Sequence, residues 1–231
     1  MLELSKRLAA VARHIPQDAV VADIGTDHAY LPVYIIQQGR VQRVLAGEVT
    51  LGPYHTAQET VRSYQLERQI DVRLGSGLGV LQPGEATVAV LAGMGGKTII
   101  NILMAGHEVL KDLKRLIVQP MRDVSAVRRW LVRNGWCFVD EEMVYEDGHY
   151  YVIIAAEKGT ETIVDEFIFE VGPRLLDKQD DTLVDYLKKR SADIDTVLKR
   201  LEAAKGDEAR LRADLLIKEN QKIREVLSSC Q

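Results

Sequence analysis

The chain has 231 residues, 46% of them apolar, and a net charge of -4, which predicts one domain of ordinary size plus a smaller appendage and excludes disorder. No apolar run approaches the ~18 residues of a membrane span, and Met1-Leu2-Glu3-Leu4-Ser5-Lys6-Arg7 lacks the long apolar block of a signal peptide. Two cysteines, Cys137 and Cys230, offer neither a metal-ligand spacing nor a disulfide framework, so no metal is expected and a reducing cytoplasm is the expected compartment.

An amphipathic helix is predicted over 3–14, with Leu4, Leu8 and Val11 at helical spacing. Short apolar strands follow at 20–24, 43–47, 70–74, 87–92, 115–119, 137–144 and 150–156, with helical stretches between the earlier ones. The middle strands are apolar at nearly every position, which suits a sheet covered by helices on both faces. Their alternation with helices through about residue 133 predicts a parallel, doubly wound α/β sheet. Glu146-Asp147-Gly148-His149 instead signals a tight turn, so the last two strands form an antiparallel hairpin.

The alternation stops after Glu157-Lys158-Gly159-Thr160, and Gly172-Pro173 breaks the next helical stretch. Leu187, Ile194 and Leu201 then recur every seven residues, with Val197 and Ala204 between them. Gly206 fits a helix C′ position and Asp207 an N-cap for a second helix carrying Leu211, Leu215, Leu216, Ile223 and Val226. The pattern predicts a C-terminal α-helical hairpin with coiled-coil-like packing, whose mixed charges leave RNA contact, self-association and bracing of the sheet all open.

The chemistry is expected where the strands end, because open α/β sheets bind ligands beyond their carboxyl edges. The first strand runs into Ala22-Asp23-Ile24-Gly25-Thr26-Asp27-His28-Ala29-Tyr30-Leu31-Pro32. A dinucleotide loop wants G-x-G-x-x-G, with helix amides cradling a pyrophosphate. Here one glycine stands between two carboxylates, Asp23 and Asp27, which would repel a diphosphate but suit an ammonium and a sulfonium. That charge argument selects S-adenosyl-L-methionine over NAD, the plain alternative being a turn residue and a helix cap. Glu48, at the second strand end beside Val49, is placed for ribose hydroxyls. Gly75-Ser76-Gly77 leaves room and a polar group for an adenine, and Ala92-Gly93-Met94-Gly95-Gly96 makes an open backbone surface beside the methyl donor.

Between Lys97 and Arg133 eight basic residues face three acids, inside an otherwise acidic chain. Lys97, Arg122, Arg128 and Arg129 are the candidate phosphate contacts there, the plain alternative being solvated helix faces. Trp130 and Trp136 read as core.

In order along the chain, Ser5-Lys6-Arg7-Leu8, the 22–32 loop, Gly47-Glu48-Val49 with Gly52-Pro53-Tyr54, Arg73 to Leu78, Ala92 to Gly96 and Gln119-Pro120-Met121 resemble the TrmK family. Its members are bacterial tRNA (adenine-N1)-methyltransferases that modify adenine 22. The resemblance is specific over roughly 3–157 and looser through the terminal helices. It implies a class I methyltransferase, a Rossmann-like seven-stranded sheet at 1–159 with the coiled-coil-like helical domain at 160–231. It also implies S-adenosyl-L-methionine as cofactor, tRNA as partner, and His28 and Tyr30 near the reacting centre. Ser76 stands where the resemblance leads one to expect an aspartate, and Thr26 where it leads to serine. Two other readings stay open on the sequence: a methyltransferase for another RNA, a protein or a small molecule, and a noncatalytic scaffold of the same fold. The oligomeric state, monomer or weak homo-oligomer, is not encoded in any motif.

Overall fold

The computed structural model describes residues 2–202 and 206–230. The chain divides into two units, with the boundary between Arg174 and Leu175.

The first unit is built on a seven-stranded sheet of order β3-β2-β1-β4-β5-β7-β6. The strands are β1 (Val20–Ile24), β2 (Arg43–Glu48), β3 (Ile70–Leu74), β4 (Val88–Met94), β5 (Arg115–Pro120), β6 (Trp136–Glu146) and β7 (His149–Lys158). The first five run parallel, and β7 is antiparallel to both β5 and β6. The chain order reverses between β1 and β4, which places the ligand crevice at their carboxyl ends.

Helices α1 (Lys6–Arg13), α2 (Tyr30–Gln37), α3 (Leu51–Ser63), α4 (Gly96–Ala105), α5 (His107–Leu110) and α6 (Val124–Arg133) connect and cover the strands. Burial explains the apolar runs: β1, β2 and β5 are buried at every position but the first, as strands covered on both faces must be. Edge strand β6 instead mixes buried and exposed positions. The β6–β7 turn is made by Asp147 and Gly148 at φ 51° and 81°, the left-handed pair that a two-residue hairpin turn requires.

Within β4 the ladder to β5 shifts register between Ala92 and Met94. Gly93, at φ 77°, leaves the ladder there, and its N–H goes to the Gln119 side-chain carbonyl at 3.0 Å. A bulge of this kind is a common way to aim backbone into a site.

The domain boundary differs from the expected 159/160. Residues 160–174, with α7 (Ile168–Val171), belong to the first unit because hydrogen bonds from arginine side chains hold them there. Arg128 of α6 donates to Phe169 O at 2.8 Å, and Arg174 pairs with Glu161 at 2.8 Å and donates to Phe138 O at 2.9 Å. Helix α8 (Pro173–Asp177) follows Gly172, whose φ of 101° only glycine adopts readily.

The second unit is a helical hairpin of α9 (Asp181–Glu202) and α10 (Asp207–Ser229). Ser191 donates to Asn220 Oδ1 and Asn220 to Asp195 Oδ1, each at 2.7 Å, and Arg190–Glu219 and Arg224–Asp195 pairs flank them. A buried polar pair of this kind pins helix register. Two expectations for the hairpin fail. Gly206, not Asp207, is the N-cap of α10, since Asp207 already has helical backbone, and Leu211 and Leu215 are exposed. Ala204 lies outside the described residues.

Candidate active site

The carboxyl ends of β1, β2, β3 and β4 surround a cleft of about 510 Å³, within the ~300–1,000 Å³ range of small-ligand sites. Asp23, Gly25, Thr26, Asp27, His28, Glu48, Val49, Gly75, Gly77, Ala92, Gly93 and Met94 all line it, as does Tyr30. Of the expected cofactor residues only Ser76 does not. It precedes the 3-10 turn Gly77–Val80 and is exposed.

The floor is backbone. Gly25 N and Thr26 N both donate to Gly47 O, at 2.8 and 3.1 Å, fastening the β1 loop to the end of β2. Gly25 sits at φ 74°, and a Cβ there would lie 2.3 Å from Met94 Cε. Glycine thus supplies both the left-handed turn and the clearance over Met94.

The wall is acidic. Glu48 is 7% exposed, and its Oε1 accepts from Val49 N and Thr50 N at 2.8 and 3.0 Å while Oε2 accepts from Asp27 N at 3.2 Å. A carboxylate has about four acceptor positions, so Oε2 keeps room for a hydroxyl from the cleft. Asp23 is 5% exposed and accepts a 2.7 Å bond from the Thr26 hydroxyl. Burial pushes the Asp23 carboxyl up to about 6, the Thr26 bond opposes the rise, and the Glu48 carboxylate adds to it. Two carboxylates held out of water at one edge disfavour a diphosphate and favour a cation. The capping alternative for Asp27 does not hold, because Ala29 is the N-cap of α2 and Asp27 makes no cap bond.

His28 and Tyr30 stack, with ring centroids 5.1 Å apart and planes 11° from parallel. His28 Nε2 lies 3.6 Å from Asp27 Oδ2. Tyr30 is 43% exposed, a large face for an aromatic ring on a cleft rim.

The expected basic patch comes apart. Arg128 is a correction: it is 0% exposed and paired with buried Glu141 at 2.7 Å, so no phosphate reaches it. Arg129 is also spent, on Glu166 at 2.8 Å, Glu170 at 3.1 Å and the Phe169 ring. Arg122 and Lys97 remain exposed. Arg122 lies against the Gly95 loop, its Nε 3.1 Å from where a Gly95 Cβ would stand. Trp136 is buried as expected and Trp130 half-buried.

Sequence reasoning placed Arg7 in the Ser5-Lys6-Arg7-Leu8 motif but gave it no part in the site, and it enters the cleft from α1. The helix was legible, but a lone arginine before the first strand carries no spacing signal.

A glycine floor at the β1–β4 switch point, buried acids and the 3-2-1-4-5-7-6 strand order define a class I methyltransferase. The comparisons agree. A family model described as "Methyltransferase domain" matches residues 4–154. The tRNA (adenine(22)-N(1))-methyltransferase of Bacillus subtilis is 44% identical over 158 residues, 68% of this chain and 66% of that enzyme, just under two thirds of its length. The crystal structure of B. subtilis TrmK superposes with a TM-score of 0.87 at 34% identity, covering 98% of this chain and 100% of that one. M. capricolum TrmK, in complex with S-adenosyl-homocysteine, superposes at 0.85 with 27% identity and 99% coverage of both. The chain belongs to the TrmK family.

Proposed function

We propose that this chain transfers the methyl group of S-adenosylmethionine to N1 of adenine 22 in tRNA, in the cytoplasm. The observation that carries the reading is the acidic, glycine-floored cleft in a chain 44% identical to a relative of that activity.

The residues fit the cofactor. Glu48 Oε2 has acceptor capacity for ribose hydroxyls, Gly75 and Gly77 leave space for the adenine, and Asp23 and Asp27 favour the cationic end. When bound, S-adenosylmethionine supplies an electrophilic methyl on a sulfonium. Adenine N1 carries an in-plane lone pair, so the chain need not remove a proton before attack. Its task is alignment, an effect worth up to ~7–11 kcal/mol for well-oriented reactants. N1 lies on the pairing edge, so the base must leave its stack. The exposed face of the His28–Tyr30 pair offers a replacement stacking surface at the cleft rim. Once the base is cationic its exocyclic amine can lose a proton to water or to His28.

Full-length protein incubated with labelled S-adenosylmethionine and unmodified bacterial tRNA should yield labelled N1-methyladenosine at position 22. Absence of any labelled nucleoside would sink the reading.

A further inference from the structure

Tyr145 and Tyr150 stand opposite each other near the β6–β7 turn, with ring centroids 4.7 Å apart and planes 45° from parallel. The next pair along the same face of the hairpin, Met143 and Val152, is buried, at 6% and 8% exposure. Tyr145 is 47% exposed. The cover over this face therefore stops short of the tyrosines and leaves an aromatic ring in solvent. Cross-strand packing alone does not call for that ring, since a β-branched residue paired with Tyr150 would also support the hairpin.

The topology says what can reach the ring. β7 runs antiparallel to β5, with Val118 opposite Ile154, so the β6–β7 turn lies at the edge where β5 ends and the cleft opens. Glu141, four residues before Tyr145 on the same face, pairs with Arg128 of α6. The tyrosines thus share the α6 side of the sheet, and the loop leading from β5 into α6 carries exposed Met121 and Arg122. Of the two acids at the turn, Glu146 is on the other face, accepting from Lys6 N and Arg7 N at 2.6 and 3.2 Å, and Asp147 is exposed at the tip. An aromatic ring with a cation at the same edge suits a nucleotide, whose base stacks while its phosphate meets the charge.

β1 and β7 are three strand steps apart, ~14 Å at ~4.8 Å per step. A base on the His28–Tyr30 rim cannot also touch Tyr145, which is left for a neighbour of that base in the same RNA. Extruding adenine 22 strips its neighbours of a stacking partner, and a protein ring can replace it. We infer that Tyr145, backed by Tyr150, stacks on a base beside adenine 22 in the tRNA. The assignment rests on the reading of the substrate as tRNA. Rings 4.7 Å apart are in contact, so the base lies on the outward face of Tyr145 and does not enter between the two.

The test is filter binding of unmodified bacterial tRNA to the full-length wild type, Y145A and Y145F at several salt concentrations. Y145A should weaken binding by roughly 5- to 100-fold, the scale of one base–aromatic stack. The slope of log affinity against log salt should not change, because a stack releases no counterions. Y145F keeps the ring and should bind like wild type. The same measurement on tRNAs made abasic at single positions beside adenine 22 locates the contact: one of them should bind wild type and Y145A alike. Y145W carries the test if Y145A does not fold, its added emission being quenched by tRNA. Wild-type affinity in Y145A would overturn the proposal, leaving the pair as a brace for the hairpin. So would a Y145A defect of equal size on every abasic tRNA, or Y145W emission that tRNA does not alter. A wild type that binds no tRNA is a different result, the failure of the RNA reading itself, and takes the Tyr145 assignment with it.

Discussion

Arg128 and Glu141 form an ion pair closed to solvent, Nε donating to Oε1 at 2.7 Å with both side chains 0% exposed. The pair reaches beyond itself. Arg128 also donates to Phe169 O at 2.8 Å and Glu170 O at 3.2 Å, and Glu141 Oε2 accepts from Arg174 N at 2.9 Å. It thereby clasps residues 160–174 to α6 and β6. Removing either partner leaves the other charged and buried, which typically costs ~3–5 kcal/mol. R128A and E141A should each lower the unfolding free energy from urea titration by that amount. A loss below ~1 kcal/mol in either variant would show that the clasp contributes little.

Asp23 makes donor binding and stability respond to pH in opposite directions. Its carboxyl titrates near 6 in the folded chain against an ordinary 3.8. The folded state therefore holds the proton more tightly than the unfolded state, and stability falls as pH rises through that window. A tenfold difference in proton affinity between the two states corresponds to about 1.4 kcal/mol, so D23N should stabilise the ligand-free protein at pH 8 by roughly 2–3 kcal/mol and not at pH 3. Affinity for S-adenosylmethionine should instead rise as pH passes 6 in the wild type and stay flat in D23N. Urea titrations at both pH values, with calorimetry from pH 5 to 8, measure the two halves. A D23N stabilisation equal at pH 3 and 8 would contradict the linkage.

Two glycines should respond differently to alanine. A Cβ at Gly96 would lie 2.7 Å from Arg122 O and 2.8 Å from Asp123 O, and backbone cannot swing aside. G96A should therefore cost ~1–3 kcal/mol by overpacking and disturb the start of α4. At Gly25 the contact is the flexible end of Met94, so strain at positive φ sets the cost, ~1 kcal/mol. The larger effect of G25A should be on the donor, whose dissociation constant rises as Met94 is pushed into the cleft. Thermal unfolding and donor titration of both variants separate the cases, and the expectation fails if G25A binds the donor like wild type.

The sequence made the sheet legible because burial and periodicity are local. β1 and β3 fall at the expected residues, and the Asp147-Gly148 turn carries its own dihedral preference. The cofactor cleft was legible for the same reason, since each loop immediately follows its strand. Arg128 and Arg129 were misread because their partners, Glu141, Glu166 and Glu170, lie 13 to 41 residues further on. A local charge count cannot see an acid that folds back. The same contacts moved the domain boundary from 159 to 174. Ser76 sits in the right loop, but which way a residue beside a 3-10 turn points is decided by packing.

Tyr30 separates stacking from chemistry. If the His28–Tyr30 face receives the extruded base, Y30A should lower kcat/KM for tRNA by roughly 5- to 100-fold, the range for one base–aromatic stack. Y30F keeps the ring and should stay near wild type. Steady-state kinetics on tRNA measure both. A Y30F defect as deep as that of Y30A would mean that the hydroxyl, not the ring, matters.

Arg122 and Arg129 belong to one basic stretch of sequence but should behave as different kinds of residue. Arg122 is exposed beside the Gly95 loop, as is Lys97 at the start of α4. R122E and K97E should raise KM for tRNA, reduce the slope of log affinity against log salt by about one each, and leave donor binding unchanged. Arg129 is committed to Glu166 and Glu170, pairs that are partly exposed and worth ~0–1 kcal/mol. R129E should cost a little stability through like-charge repulsion and leave the salt slope alone. Filter binding of tRNA at several salt concentrations, beside urea midpoints, reads both effects. If R129E lowers the slope as much as R122E while folding normally, the Arg129 pairs open to RNA and the interface extends along α6.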